Sequence, residues 1–274
     1  MSTGLETQKN TTGRQKKMIN KKKPTIYIGY DPRDHQAYEV LVHSIQKYCD
    51  KFPIVPLIEP ALRRAGLYRR TIRVDEKNPR QKIDFFDNKP FSTDFTFTRF
   101  LVPALNQYSG LALFMDSDMF VRADIEQIFD QYGNRKEYAV SCVKHNYTPP
   151  VGKKMDGVVQ TQYLRKNWSS FMLFNCDHEK TKELTVDDVN LKSGGWLHRL
   201  SWLQDDEIGS IHEEWNWLDG HSPKNIEAKN VHFTTGGPWF DNWTPKRKID
   251  EEYTHEWKLF QDKIYTEKLM ETLA

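Results

Sequence analysis

Cysteine is scarce: Cys49, Cys142 and Cys176 are the only three in 274 residues, and they lie far apart. So small and odd a set excludes a disulfide framework, gives no zinc-ligand spacing and fits a reducing compartment. Buried small hydrophobes are the role expected of them. Long apolar runs are missing as well. None approaches the roughly 18 residues of a membrane span, so any membrane contact is expected to be peripheral. No internal repeat and no Pro/Gly-rich linker divides the chain, which argues for one domain over residues 24–274 with an irregular C-terminal third. Charge of one sign is missing too, for 40 Lys and Arg face 38 Asp and Glu. Yet residues 1–23 hold seven of those bases and only Glu6 as an acid. This leader lacks the apolar segment of a secretory signal, and its composition is that of a disordered tail. It could touch an anionic membrane or nucleic acid, although a solvated tail is the plainer reading. The remainder is mildly acidic and carries no basic stripe for nucleic acid.

What is present is an alternation of element types. "PTIYIGYD" (24–31) reads as a strand, and residues 35–49 space Ala37, Val40, Leu41, Ser44, Ile45 and Tyr48 as a helix does. "FPIVPLI" (52–58) is a second strand and "PALRRAGLY" a short helix. Strand, helix and strand within about 35 residues form a βαβ unit, which predicts an α/β fold on a mostly parallel sheet. Residues 69–94 read as polar and irregular, and 93–108 as a helix interrupted at Pro103. Strands are expected at 111–118, 137–145 and 169–176, helices at 123–132, 186–192, 195–203 and 251–273.

The strand "LALFMDSD" runs straight into Asp116 and Asp118, after which Phe120 and Val121 resume the apolar run. Burying an unpaired carboxylate costs several kcal/mol, so something positive is expected beside this pair. Alternation points both acids to one side and Ser117 to the other. Two converging carboxylates suit a hard cation such as Mg²⁺ or Mn²⁺; an Asp-rich turn with one capping acid is the alternative. Far along the chain, "NVHFTTGGPWF" (230–240) ends a short run at His232 and continues into Gly236, Gly237 and Trp239. That is the composition of a loop folded closely over a ligand, with an imidazole available as a third metal ligand.

In order and spacing, "GYDPRDHQAY", the Arg of "FTFTRFLVP", "LFMDSDMFV", "SSFMLFNC", "LQDDEIG", "EWNWL" and "HFTTGGPW" resemble the GT-A fold glycosyltransferases, especially family 8 and a bacterial and viral branch near it. The likeness spans residues 25–243 and implies a GT-A (nucleotide-diphospho-sugar transferase) fold. It implies that Asp116, Asp118 and His232 hold Mn²⁺ or Mg²⁺ against the diphosphate of a nucleotide sugar, a UDP-sugar above all. The ion would neutralise the departing nucleoside diphosphate. Gly29, Tyr30 and Asp31 would line the base and ribose pocket, with Asp31 either accepting from a uracil N–H or capping the next helix. Arg99 would lie near the diphosphate, or pair with a structural acid. Ser117, Gly236, Gly237 and Trp239 complete the expected nucleotide contacts. Family 8 usually has a Lys just before its final Pro-Trp; Gly236 and Gly237 stand there instead, leaving Arg165 and Lys166 as other phosphate cations. Its Asn-Ser-Gly also appears altered, as Trp168, Ser169 and Ser170 after Asn167.

For the reaction, Gln204 and Asp205 of "QDDEIG" are the expected catalytic pair, Asp205 contacting donor hydroxyls or taking the acceptor proton. The alternative for Asp205 is an acid favoured in a first helical turn. Trp239 and Trp217 are expected near the site, the other Trp residues in the core. Residues 160–170 have the polarity of a loop that orders over the donor. A glycan or other hydroxyl compound would be the acceptor. Cytoplasmic residence, possible at the inner face of a membrane, follows from the absent signal and the cytosolic supply of activated sugars. Two rival readings stand: a nucleotide-sugar-binding module without turnover, and a metal-dependent phosphohydrolase. The latter expects its acid pair near the first strand, not after position 110.

Overall fold

The computed structural model describes residues 22–76, 78, 81–146, 165 and 167–273, together with the backbone of 152–153 and 159–160. The first half runs β1 (Thr25–Gly29), α1 (His35–Tyr48), β2 (Ile54–Leu57), α2 (Glu59–Arg64), β3 (Ile72–Val74), β4 (Lys82–Asp84), β5 (Pro90–Phe91) and α3 (Val102–Leu105). It continues through β6 (Leu111–Met115), β7 (Met119–Val121), α4 (Glu126–Tyr132), β8 (Val140–Cys142), β9 (Gly152–Lys153) and β10 (Val159–Gln160). The second half holds β11 (Phe171–Asn175), α5 (Glu179–Lys182), α6 (Val186–Leu191), α7 (Gly194–His198) and β12 (Ile208–Ser210). Last come β13 (Trp217–Leu218), β14 (Asn230–His232) and α8 (Lys248–Leu273).

Six strands form the central sheet in the order β12-β8-β11-β6-β1-β2, in which only β11 runs antiparallel. Its middle strands are apolar on both faces, as Ala112 to Met115 and Phe171 to Phe174 are all buried. Strands covered on both sides read as continuous apolar runs, which is why β1, β6 and β11 are visible in the sequence. One face packs Phe114, Met172 and Phe174 against Phe95, Phe100 and Leu197. The other packs Leu113, Met115 and Leu173 against Leu41, Ile45 and Ile128. A second, three-stranded sheet in the order β13-β14-β7 carries a further cluster, in which Trp217, Val231 and Phe233 meet Tyr253 and Trp257 of α8.

Three expectations need correction. Residues 69–94 are not merely irregular, because β3, β4 and β5 pair there as a small antiparallel sheet anchored by the buried Arg70–Asp84 ion pair at 2.6 Å. Residues 93–108 do not form one interrupted helix. A 3-10 turn, Thr98–Leu101, hands over to α3, and Pro103 lies in the first turn of that helix, where its missing N–H costs nothing. The third is the strand expected over 111–118, which ends at Met115 before β7 begins at Met119; β7, β12, β13 and β14 have at most three residues each, too short for a period to declare itself. Among the described residues no helix is long and apolar enough to cross a membrane.

Candidate active site

The chain leaves β6 at Asp116, whose N–H donates to Ser170 O at 3.0 Å beside the start of β11. After two residues it re-enters a strand as β7. Because β14 pairs antiparallel with β7 in the register His232↔Met119, the imidazole is delivered beside Asp118. Phe233 N–H donates to Asp118 O at 2.9 Å and fixes that junction. Ligand atoms of Asp116, Asp118 and His232 consequently lie within 4.8 Å of one another. Two sheets thus meet at one point, at the carboxyl end of β6, where open α/β sheets place their ligands.

Positive groups answer both acids. The buried Arg99 guanidinium reaches Asp116 Oδ1 at 2.8 Å and donates to Ser169 O at 2.8 Å. His232 Nε2 stands 3.1 Å from Asp118 Oδ1. The tautomer of that ring follows from its other side. Asn216 donates through its amide nitrogen to Ser170 Oγ at 2.9 Å and Asn167 O at 3.5 Å, which turns Asn216 Oδ1 toward His232 Nδ1 at 2.9 Å. A carbonyl oxygen only accepts, so Nδ1 carries a proton, and Nε2 is the ring nitrogen turned toward the carboxylate. A carboxylate oxygen and a ring nitrogen at that distance are held together by a proton or a cation between them. The donor set, two carboxylates and an imidazole nitrogen, is one that a divalent cation accepts.

Nearby residues close the cleft without all pointing into it. Asp31 caps the turn Pro32–Asp34 through Arg33 N at 3.0 Å, and Arg33 Nη2 grips its other oxygen at 2.7 Å. Burial alone would raise its pKa, but the Arg33 bonds and charge, with the N–H of Asp94, hold it below the usual carboxylate range. Asp31 thus caps the turn before α1 rather than α1 itself, whose cap position is Asp34. Gly29 is needed for packing, since a Cβ there would meet the Phe95 ring at 2.4 Å. Tyr30 is half-buried, edge-on to Tyr38, with its hydroxyl 3.3 Å from His35 Nδ1. Ser117 is 0% exposed, and its Oγ has no hydrogen-bond partner among the described residues; its side chain faces the interior, as alternation requires. Gly236 has φ +108°, and a Cβ on Gly237 would fall 2.0 Å from the Trp239 ring. The two glycines let the loop fold onto its own tryptophan, which donates from Nε1 to Asp34 Oδ1 at 3.0 Å. That bond ties the last loop to the first βα connection.

No family model matches the chain. A curated relative does: Protein CDI of Arabidopsis thaliana is 44% identical over 250 residues, covering 86% of this chain and 90% of that protein. The chain belongs to the CDI family. Among solved structures, the glycosyltransferase GlyE of Streptococcus pneumoniae TIGR4 matches with TM-score 0.53 and 16% identity over 90% of this chain and 64% of that one. The bifunctional glycosyltransferase WbbM matches with TM-score 0.50 and 17% identity over 78% of this chain and 46% of that one. The galactosyltransferase LgtC, solved with donor and acceptor sugar analogues, gives TM-score 0.50 and 11% identity over 87% and 95%. The chain thus spans less than two thirds of GlyE and WbbM, and it shares with all three the GT-A glycosyltransferase fold.

In this CDI-family chain the expected catalytic pair lies in the turn before β12. Gln204 caps the turn Asp205–Glu207, and Asp205, with 87% of its side chain exposed, pairs with Arg165. That turn precedes β12, which runs parallel to β6 through β8 and β11. Asp205 therefore leaves the N-terminal edge of the sheet, whereas Asp116 leaves the C-terminal edge. Trp217 is fully buried, with its indole N–H on Pro223 O, and belongs to the core. Residues 161–164 and Lys166 of the loop 160–170 lie outside the described residues, as does nearly all of the leader. Two neighbours of the triad carried no recognised signal. Asn216 hides between two tryptophans in "EWNWL". Asp34 reads as an ordinary cap before α1, yet burial and the charges of Asp118 and Asp31 push its pKa up to about 7. A second group, Cys49, Asp124 and Glu126, also lies within 4.8 Å, but Lys51 already pairs with Glu126.

Proposed function

We propose that this protein is a metal-dependent glycosyltransferase, family 8-like, that moves a sugar from a nucleotide diphosphate sugar, a UDP-sugar foremost, to a glycan or other hydroxyl acceptor. Residues 24–274 would act as one catalytic unit. The observation that carries the reading is the meeting of Asp116, Asp118 and His232 at the end of β6, with Nε2 of His232 turned toward Asp118. The GT-A fold shared with GlyE, WbbM and LgtC supports the reaction class.

Asp116, Asp118 and His232 would hold Mn²⁺ or Mg²⁺. Such an ion supplies Lewis-acid stabilisation of the leaving diphosphate. The chain's own residues prepare that site. Asn216 holds His232 in the tautomer that presents Nε2. Arg99 orients Asp116 and brings a buried positive charge to the acid pair, and the Trp239–Asp34 bond draws the Gly236–Gly237 loop against the β1–α1 connection. Tyr30 and the backbone of Gly236 remain the candidates for nucleotide contact. No role in proton transfer is proposed for the exposed Asp205.

The test is calorimetric titration of UDP with and without Mn²⁺. UDP should bind measurably only with the ion, and Asp118→Ala should abolish that binding while leaving the melting transition cooperative. Ion-independent UDP binding unaffected by the substitution would refute the metal role. Release of UDP from UDP-sugars then separates the transferase from a module that only binds.

A further inference from the structure

Asn216, whose amide orients His232, also meets His145, just past β8, through its main chain. This second bond raises the pKa of the His145 ring, so it runs from a ring N–H to the carbonyl. The other nitrogen, Nε2, has no partner among the described residues, although the residue is only 9% exposed. Burial and then the charge of His232 press the His145 pKa down to about 3. The ring is therefore neutral at physiological pH, and Nε2 keeps a lone pair with nothing to accept. Such a group is costly to leave unpaired.

His145 lines a cleft of about 780 Å³, lying between the ends of β8 and β12 and the connection from β13 to β14. Leu218 on its wall is the register partner of His232, so the cleft adjoins the triad. Arg135 and Lys144 also line it, and neither forms an ion pair among the described residues. Arg135 donates to Ser210 O at 3.2 Å and lies over the Tyr132 ring; Lys144 lies over Trp168. The carboxylate on the wall, Glu213, is occupied by Ser222 Oγ at 2.5 Å. The cleft thus offers a buried acceptor nitrogen that calls for a hydroxyl, and two cations that call for an anion. Apolar wall positions such as Ile211 suit the C–H face of a sugar ring.

We propose that this cleft seats the acceptor, and that the acceptor is a polyhydroxylated anion. One hydroxyl would donate to His145 Nε2, and the anionic group would rest on Arg135 and Lys144. The acceptor role rests on the reading of the neighbouring triad as the donor centre; recognition of the hydroxylated anion does not. A carboxylate sugar and a sugar phosphate share this chemistry.

The test is calorimetry on the full chain with D-glucose, D-glucuronate, D-glucose 6-phosphate and inorganic phosphate, beside a separate titration of UDP with Mn²⁺. At least one acidic sugar should bind tenfold or more tightly than both glucose and phosphate, and whichever binds tighter distinguishes carboxylate from phosphate. The R135Q/K144Q double variant, altered only at the cleft rim, should lose that tenfold while binding UDP unchanged. His145→Phe should weaken every sugar and spare phosphate; if that variant fails to fold, the rim variant decides alone. Three results would overturn the proposal: no sugar binding, equal binding of glucose and the acidic sugars, or acidic-sugar binding untouched in R135Q/K144Q. Binding of acidic sugars without any UDP binding would refute the donor reading and the acceptor role with it, while leaving the anion site in place.

Discussion

Asn216 Oδ1 lies 2.9 Å from His232 Nδ1, and the same side chain is locked by its bonds to Ser170 Oγ and Asn167 O. The tautomer of His232 is therefore set by a residue that touches neither acid in the chelating group. Asn216→Ala should lower the affinity for UDP in the presence of Mn²⁺ by ten- to a hundredfold, as loss of a partner that orients a ligating histidine typically does. It should also cost about 1–3 kcal/mol, because Nδ1 and Ser170 Oγ lose buried partners. Calorimetric titration and denaturant melts measure the two effects separately. An unchanged Mn²⁺–UDP affinity would show that the amide does not govern the site.

Arg99 answers the charge of Asp116 from inside the protein, packed 5.0 Å over the Phe114 ring. Arg99→Met keeps much of the volume but leaves two neighbouring acids facing each other. Removing one partner from a buried pair costs about 3–5 kcal/mol, and the loss of unfolding free energy should be of that order. Mn²⁺ should restore more stability to this variant than it adds to the wild type, since it replaces the missing charge. Melts at a series of Mn²⁺ concentrations read this directly, and equal increments in both proteins would count against a cation bound by Asp116.

Gly237 is constrained by one close approach. A methyl group there would lie 2.0 Å from the Trp239 ring, so Gly237→Ala must displace the indole and break its 3.0 Å bond to Asp34. A loss of about 1–3 kcal/mol is expected from the overpacking, together with weaker UDP binding. Trp239→Phe removes the bond without the clash and should reproduce the second effect with less of the first.

Much of this arrangement is legible in the chain, for reasons that differ from place to place. β1, β6 and β11 show because both of their faces are buried, and Asp116 and Asp118 show because they interrupt such a run. His232 is visible only through the glycines after it; its strand, β14, has three residues. Its approach to Asp118 is a consequence of pairing across more than a hundred residues, which no local pattern encodes. Asn216 is invisible for a related reason, since a polar residue between two tryptophans reveals neither the histidine nor the serine it serves. Asp205 is ambiguous in sequence because an acid in a first turn and a catalytic acid look alike there.

His145 supplies a prediction about acid. Its folded pKa lies near 3, pressed down by burial and then by His232, below the 6.5 of an exposed imidazole. A group with a depressed folded pKa binds protons more readily in the unfolded chain. Its contribution to stability is therefore complete above pH 6.5 and is lost progressively as pH falls toward 3. The slope from one such group approaches about 1.4 kcal/mol per pH unit. Urea melts between pH 7 and pH 4.5 should show this loss in the wild type and a shallower decline in His145→Phe, whatever the absolute stability of the variant. The carboxylates that titrate in the same range remain in both proteins, so the difference in slope isolates the imidazole. Parallel curves would mean that His145 accepts its proton without unfolding the chain, and that the ring is less shut away from water than its burial implies.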